Sequence, residues 1–558
     1  MIKAFSKSGD PERADELIQE LDESAADHIS SRGKQRNLPA DVSTIAACIS
    51  GYCNFGKDKE HRLERSEALL YRIIDAYNSG SKRRFERDAT SWVFEDVVRL
   101  LSKSRKPDAG QRINKIIEEL EALQDVAPGV FVPSHAIYVL ALDAWAVSGH
   151  GRAGEEAMNI LKRLDEGSKI GRLPRPNVRI LSSALASVTK AGGPASGQFA
   201  EGILHRIIDL YQSGDRSAQV DIRIVTNVLT AIMKSSDRSA DVKAIALLHE
   251  MNKLGEKGLP ELVPNTIVYN CILTGLANRG LSEQAVKVLN EMKRSHADGR
   301  NCAPDILSYS CVCRAMAYSR TPQSVQTLEN LLNEVVTLYN NGDASVKPDL
   351  YLFNAVIDGF KNVSKKDPRA ALKADDLLTR METSTVGDEK IFPNTQTFAS
   401  VCHAYAMSNA PESAVKSESI LRRAEKLAQE GAIEPPKIEF YASVVLAYTR
   451  DHDEDSLNKA ETIVEELKSK AEAGREDLKP NTRIFNLLLA GYAKSQIPNR
   501  QKRVQELMTE LEALHNAGDK SCEPDNNAYN WVGFECSMQS GFLCVQFYFR
   551  HLSHTIPC

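Results

Sequence analysis

No apolar run in this 558-residue sequence approaches the roughly 18 residues that a membrane span requires, so a transmembrane helix is excluded. The 11 cysteines contain no CxxC pair and no regular spacing, which argues against a disulfide framework and for a reducing compartment. Neither sign of charge dominates. Seventy Lys plus Arg face 75 Asp plus Glu, and a net charge of −5 gives no bulk field that would attract nucleic acid. Any such partner needs a local basic stripe. Aromatic residues make up only 6% while 26% of the chain is charged, a balance compatible with a soluble, mostly helical protein and incompatible with a collagenous or disordered one. The opening segment MIKAFSKSGDPERADE has no long apolar stretch and meets acids at Asp10 and Glu12, so it reads as neither a secretory signal nor a transit peptide. Length alone suggests about three or four domains of about 150 residues.

Catalytic constellations are scarce. Asp451 to Asp455 resembles a metal cluster, but the segment falls in a turn between two helical patterns, where Asp also caps the second. Gly192-Gly193-Pro194 lacks the G-K-[ST] ending of a phosphate-cradling loop. Cys402-His403 would suit a thiol nucleophile, yet Cys402 and Cys313 occupy the place of Leu273 in an apolar stripe and read as core. No cofactor, no metal and no catalytic residue is expected.

What the chain does have is a repeat. PNTIVYNCILTGLA at Pro264 recurs as PDILSYSCVCRAMA at Pro304, PDLYLFNAVIDGF at Pro348, PNTQTFASVCHAYA at Pro393, PKIEFYASVVLAYT at Pro436, PNTRIFNLLLAGYA at Pro480 and PDNNAYN at Pro524. Weaker copies begin at Pro133, Pro176 and Val220. Successive starts lie 40 to 45 residues apart, close to 44. Such a period replaces globular domains with an array.

Each period holds two helical stripes. Tyr269, Ile272, Leu273 and Leu276 fall at i, i+3, i+4 and i+7, and so do Ala285, Val288, Leu289 and Met292. A Gly, Asp, Ser or Lys-rich loop follows the second stripe, and a proline precedes the next first helix, where its missing N–H costs nothing. One hairpin cannot bury both stripes alone, so the hairpins must stack into a solenoid with a continuous core. The spacing gives a partial first repeat over 1–41. Eleven full repeats follow over 42–88, 89–134, 135–177, 178–221, 222–265, 266–305, 306–349, 350–394, 395–437, 438–481 and 482–525. IKAFSKSG at Ile2 matches ILTGLANRG at Ile272, so the sequence opens inside a first helix and Met1 is not expected to be the natural start. Over 526–558 a further repeat starts, then its register dissolves from Trp531 into an irregular tail with no helical stripe, expected to be a gene-model artefact or an ill-ordered tail.

The signature carried by Tyr269, Asn270, Gly275, Glu283, Ala285, Glu291, Met292, Pro304 and Asp305 resembles the pentatricopeptide repeat, in a variant about nine residues longer than the family unit. The match is specific from Asp221 to Asn530 and looser before, where Leu181, Val225, Trp92 and Ile45 stand for the usual Tyr or Phe. The resemblance implies an all-α fold, a right-handed superhelical α-solenoid of tetratricopeptide-like hairpins. It also implies binding of single-stranded RNA at one base per repeat, read by two side chains. These are the residue after the aromatic and the last residue of the same repeat. Carried over, the pairs are Ser182 with Asp221, Thr226 with Asn265, Asn270 with Asp305, Ser310 with Asp349, Asn354 with Asn394, and Asn486 with Asp525. By the family pattern they imply G, A, U, G, C and U. Ala399 with Lys437 and Ala442 with Asn481 do not fit, nor do Ala46, Val93 and Val139 in the reading place.

Lys190, Lys234, Arg450 and Lys494 occupy one equivalent place, with Lys361 one residue earlier, and are phosphate-contact candidates by the same resemblance. Family likeness further implies a mitochondrion or chloroplast and a role in RNA processing, stability or translation, with other RNA-processing proteins as partners. No membrane or small-molecule substrate is expected. No H-x-E with a later C-x-x-C signals an appended deaminase. Two bland readings compete. Ser, Thr, Asn and Asp favour helix starts in any case, and a tetratricopeptide-like scaffold would hold a peptide in place of RNA, a reading the acidic net charge favours.

Overall fold

The computed structural model describes the chain apart from residues 32–40, 56–57, 79–90, 127–130, 216–217, 219, 257–259, 384–390, 409, 411 and 538–558. Every regular element among the described residues is helical. The chain forms two compact halves, Met1–Gly275 and Leu276–Cys558, whose boundary falls within the helix Thr266–Arg279. In the first half the hairpins pair Ile2–Ser8 with Pro11–Ser31, Val42–Asn54 with Lys59–Asn78, Ser91–Ser104 with Ala109–Val126, His135–Ser148 with Ala153–Lys169, Val178–Ala191 with Ser196–Gln212, and Ile222–Lys234 with Ala240–Glu256. In the second half Ser282–Ala297 is followed by Ile306–Ser319 with Pro322–Asn340, Leu350–Val363 with Arg369–Thr383, Thr395–Met407 with Ser413–Gln429, Ile438–Thr449 with Glu454–Glu472, and Thr482–Lys494 with Arg500–Asn516. Within each half a first helix packs against its own second helix and against neighbouring first helices, so each half is a helical solenoid.

Local chemistry sets the hairpins. First helices open on Asp or Asn N-caps, as at Asp349, whose Oδ1 accepts the Leu352 N–H at 2.8 Å. Second helices end on a left-handed glycine, such as Gly342 (φ 98°) and Gly474 (φ 104°), where a side chain would be strained. Inside the first helices small residues allow close approach. A Cβ on Gly491 would sit 2.8 Å from Thr449 Cβ on the preceding first helix.

The long loop carries something the periodicity did not reveal. Three residues before the end of most repeats, an apolar side chain turns inward, often from a short 3-10 turn such as Ala344–Val346, Glu476–Leu478 or Lys520–Cys522. Phe131, Ala218, Leu262, Cys302, Val346, Leu478 and Cys522 hold this place, each no more than 4% exposed. Pro174, Ile391 and Glu434 hold it elsewhere and stay partly or fully exposed. Much of the extra length therefore serves a third buried peg per repeat and does not merely enlarge an edge.

Second helices are tied by ion pairs at repeat spacing. Arg163 reaches Glu118 at 2.9 Å, Arg206 reaches Asp165 at 2.6 Å, Lys293 reaches Glu334 at 2.6 Å, Lys373 reaches Glu329 at 2.7 Å and Arg503 reaches Glu461 at 2.6 Å. Each such pair contributes at most about 1 kcal/mol. Arg422 grips Glu466 with both Nη atoms, at 2.8 and 2.7 Å, while Lys470 approaches Glu466 at 2.5 Å. The Arg422 hydrogen bonds, with help from Lys470, lower the Glu466 carboxyl to about 2. A carboxyl held below its unfolded value contributes stability above that value and loses it as pH falls through the folded one. Thermal stability is therefore expected to hold from pH 7 to 5 and to decline between about pH 4.5 and 2. Glu466→Gln should lower stability at pH 7 and flatten that decline. A melt series showing the same acid slope in both proteins would refute this linkage.

Two expectations need correcting. Around the second full repeat, Trp92 is 40% exposed while Val93 and Phe94 are buried side by side, as Leu352 and Phe353 are. The place after the aromatic is therefore held by Glu95, not Val93, because burial selects Phe94 over Trp92 as the aromatic. The boundary expected at 88–89 lies outside the described residues. At the other end, the helix Asn526–Ser537 runs through the segment expected to lose its register at Trp531, and the rest of that tail lies outside the described residues.

Candidate nucleic-acid interface

The closing residue of each repeat sits where a helix begins, and that fixes which of its atoms remain to act. Oδ1 of Asp221, Asn265, Asp349, Asn394 and Asp525 accepts the backbone N–H three residues on, at 2.9, 3.2, 2.8, 3.0 and 2.9 Å. Oδ1 of Asp305 does the same toward Ser308 at 2.9 Å. The capping role anticipated for these residue types is thus real, and the atom outside the cap is Oδ2 of each Asp, an acceptor, or Nδ2 of each Asn, a donor. Asp221 Oδ2 also receives Arg223 Nε at 3.0 Å.

The residue after the aromatic lies on the same edge in several repeats. Asn486 Nδ2 donates to both Asp525 oxygens, at 3.0 and 3.1 Å. Thr397 Oγ1 donates to Asn354 Oδ1 at 2.7 Å and lies 2.9 Å from Asn394 Oδ1, bridging that pair. At the corrected place Glu95 accepts from the hydroxyl of Ser134, the residue that closes its repeat. Thr226 turns its hydroxyl to the Arg223 carbonyl at 3.0 Å, and Ser182 is half-buried. Asn270 is buried. Ser310 is 1% exposed and its Oγ is shut from solvent with no hydrogen-bond partner, as is Asn486 Oδ1. Native structures seldom tolerate such orphans. Both lie in reading places.

The basic row is uneven. Lys190, Lys234 and Lys494 are exposed at the ends of their first helices, and Lys494 Nζ stands 4.9 Å from the Trp531 ring centroid. Arg450 Nη1 donates to the Ala406 carbonyl at 2.7 Å, while Lys361 Nζ meets Asp358 at 2.5 Å. The register of Glu95 adds Lys103, exposed eight residues on, a place the sequence reading missed because Trp92 drew the alignment two residues off.

The rival constellations resolve into structure. Cys402 Sγ is fully buried, 3.6 Å from the Ser417 carbonyl, and burial pushes its thiol up to about 12. Burial does the same to Cys313. His403 Nδ1 lies 3.3 Å from Ser443 Oγ, and burial with the Lys361 and Arg483 charges lowers its pKa. Asp453 Oδ1 caps Glu454–Glu472 through the Ser456 N–H at 2.9 Å. Among the described residues no group of three or more His, Cys, Asp or Glu is placed to hold a metal, and no helix is long and apolar enough to cross a membrane.

Comparison with known proteins finds PPR repeats in this chain. The model of the PPR repeat family matches residues 264–317 and that of the PPR repeat matches residues 1–24. A chloroplastic pentatricopeptide repeat-containing protein of Arabidopsis thaliana is 23% identical over 412 residues, covering 74% of this chain and 43% of that protein. The chain thus spans less than half the length of that relative. The small ribosomal subunit protein mL103 (rPPR7) of Arabidopsis thaliana is 22% identical over 360 residues, 62% of this chain and 73% of that one. The crystal structure of the maize pentatricopeptide repeat protein PPR10 aligns over 100% of this chain and 74% of its own, at 18% identity and a TM-score of 0.40. Taken with the hairpin signature repeated along both halves, the matches show a chain built on PPR repeats.

Proposed function

We propose that this protein binds single-stranded RNA in an organelle, one base per repeat, and acts in RNA processing, stability or translation. The observation that carries the reading is that Oδ1 of each closing residue caps a helix, so the second side-chain atom, outside the cap, is the one that faces the reader. A closing Asn then offers a donor and a closing Asp an acceptor. Cytosine N3 and adenine N1 accept, whereas uracil and guanine carry N–H at those places, so Asn suits C or A and Asp suits U or G. The partner residue selects size, since the longer Asn fills the space beside a pyrimidine and the shorter Ser or Thr leaves room for a purine. The relatives named chloroplastic and ribosomal favour an organellar, RNA-rich setting with protein partners. The acidic net charge speaks less for a peptide scaffold because acids such as Glu118, Asp165, Glu329 and Glu461 lie on second helices and not on the first helices that carry the readers.

The test is binding of an RNA with the order GAUGC, two unspecified bases, then U, from the 5′ end, against a scrambled RNA at two salt concentrations. Tighter binding of the ordered RNA is expected. Equal affinity would remove the code, and no binding to either would favour the scaffold. In the same assay Asn354→Thr should move the preference at its base from C toward A, because Asn394 still donates while the shorter side chain admits a purine. An unchanged preference there would mean that this pair does not read the base.

A further inference from the structure

Residues of three successive first helices, all beyond Gly275, converge on one guanidinium. Arg314 of Ile306–Ser319 donates through Nη1 to Tyr351 Oη at 2.7 Å and through Nη2 to Asn278 Oδ1 at 3.1 Å. Asn278 belongs to the first helix before it and Tyr351 to the first helix after it. Both partners are neutral, so the full positive charge remains. Most other partly buried arginines here face a carboxylate, as Arg65 faces Asp15 at 2.6 Å and Arg206 faces Asp165. The acid in the equivalent place of the next repeat, Asp358, is already engaged by Lys361 at 2.5 Å and by Ser400 Oγ at 2.9 Å.

The Nε of Arg314 is shut from solvent without a partner, and so is the Oγ of Ser310 one turn earlier on the same helix face. Arg314 is thus a cation held by neutral partners on the edge expected to read bases, where an anion would pair with its guanidinium. The place eight residues after the reader holds Lys103, Lys190, Lys234, Arg450 and Lys494 in five repeats and no cation in the others, among them Asn278 and Tyr318 in the repeats 266–305 and 306–349. In those two repeats Arg314, on the first helix of the second, reaches Asn278 of the first.

We propose that Arg314 binds the phosphodiester backbone of the RNA in repeats 266–305 and 306–349, with Asn278 and Tyr351 as the positioning residues that hold its guanidinium across three helices. This rests on the RNA-binding reading above. A guanidinium already fixed by two hydrogen bonds loses little freedom on meeting phosphate.

The test is a salt titration of RNA affinity on the full chain, using the ordered and the scrambled RNA. Arg314→Gln is expected to weaken both RNAs several-fold at low salt and to reduce the slope of log affinity against log salt by about 0.7, the value of one single-strand phosphate contact. Arg314→Lys keeps the charge and should keep the slope while losing affinity, and Tyr351→Phe should lose affinity more modestly. Lys502→Gln, on a second helix, should change neither, and a thermal melt confirms that each variant folds. Unchanged affinity and slope in Arg314→Gln, with RNA binding intact, would overturn this proposal and leave the functional reading standing. A loss confined to the ordered RNA at unchanged slope would also overturn it, since Arg314 would then be reading a base. Absence of RNA binding in the unsubstituted chain would overturn both.

Discussion

Replacing Ser182, Thr226, Asn270, Ser310, Asn354 and Asn486 together by alanine is expected to erase the preference for the ordered RNA over the scrambled one. Each good side-chain pair discriminates between bases by about 1–3 kcal/mol. Six such pairs lost amount to roughly 10³-fold or more in relative affinity, at tenfold for about each 1.4 kcal/mol. The salt dependence should persist, because Lys190, Lys234 and Lys494 are untouched and the phosphate term is indifferent to sequence. The fold should persist too. Most of these side chains sit at the surface edge of their helices, and removing the buried, unpartnered Ser310 hydroxyl relieves a desolvation cost and creates none. A comparison of ordered and scrambled RNA at one salt concentration checks the result. Retained selectivity in the sixfold variant would show that specificity resides elsewhere on the chain.

The largest expected effect on stability comes from a loop. Phe131 is fully buried, with its ring 4.6 Å from Tyr77 and 6.0 Å from Phe94, both edge-on. Phe131→Ala should destabilise by about 3–5 kcal/mol, the range for truncating a buried phenylalanine where the surroundings collapse only partly. Edge-to-face ring pairs add about 0.5–1.5 kcal/mol each to what burial alone supplies. The damage should stay near the hairpins of Lys59–Asn78 and Ser91–Ser104, because repeats in such arrays interact chiefly with their neighbours. Cys522→Ala, in the same place of another repeat, removes a single sulfur and should cost only about 1 kcal/mol. Hydrogen exchange resolved along the chain, with denaturant melts of both variants, would check this. Equal losses in the two proteins would mean that the inward position of Phe131 carries no special weight.

Why the sequence disclosed one set of core positions and not the other follows from number. Tyr269, Ile272, Leu273 and Leu276 form a stripe of four within eight residues, and such a stripe has a period to detect. The inward loop position contributes one apolar residue in each repeat, as different as Phe131, Ala218 and Cys522, inside a polar segment that reads as solvent-exposed. Only aligning the repeats at their closing residue would have exposed that column. The misplaced reader in the second full repeat has a similar cause. Trp92 and Phe94 are both aromatic and two residues apart, and no pattern in the linear sequence says which of them faces the core. Burial decides for Phe94, and Glu95 follows.

The candidate site divides the same way. The residue types at the reading and closing places were legible, because they recur at a fixed distance from a proline. That the closing residue spends Oδ1 on a helix cap, that Asn486 meets Asp525, and that Arg314 draws on Asn278 and Tyr351 were not. Sequence by itself determined the hairpin, its period and the chemistry at the repeat edge, because these depend on short-range helical periodicity and on capping within one or two turns. The tertiary structure alone decided which atom of each closing residue the cap uses and which neutral groups hold Arg314. The second of these depends on side chains roughly 40 residues apart, brought together only when one hairpin buries its stripe against the next.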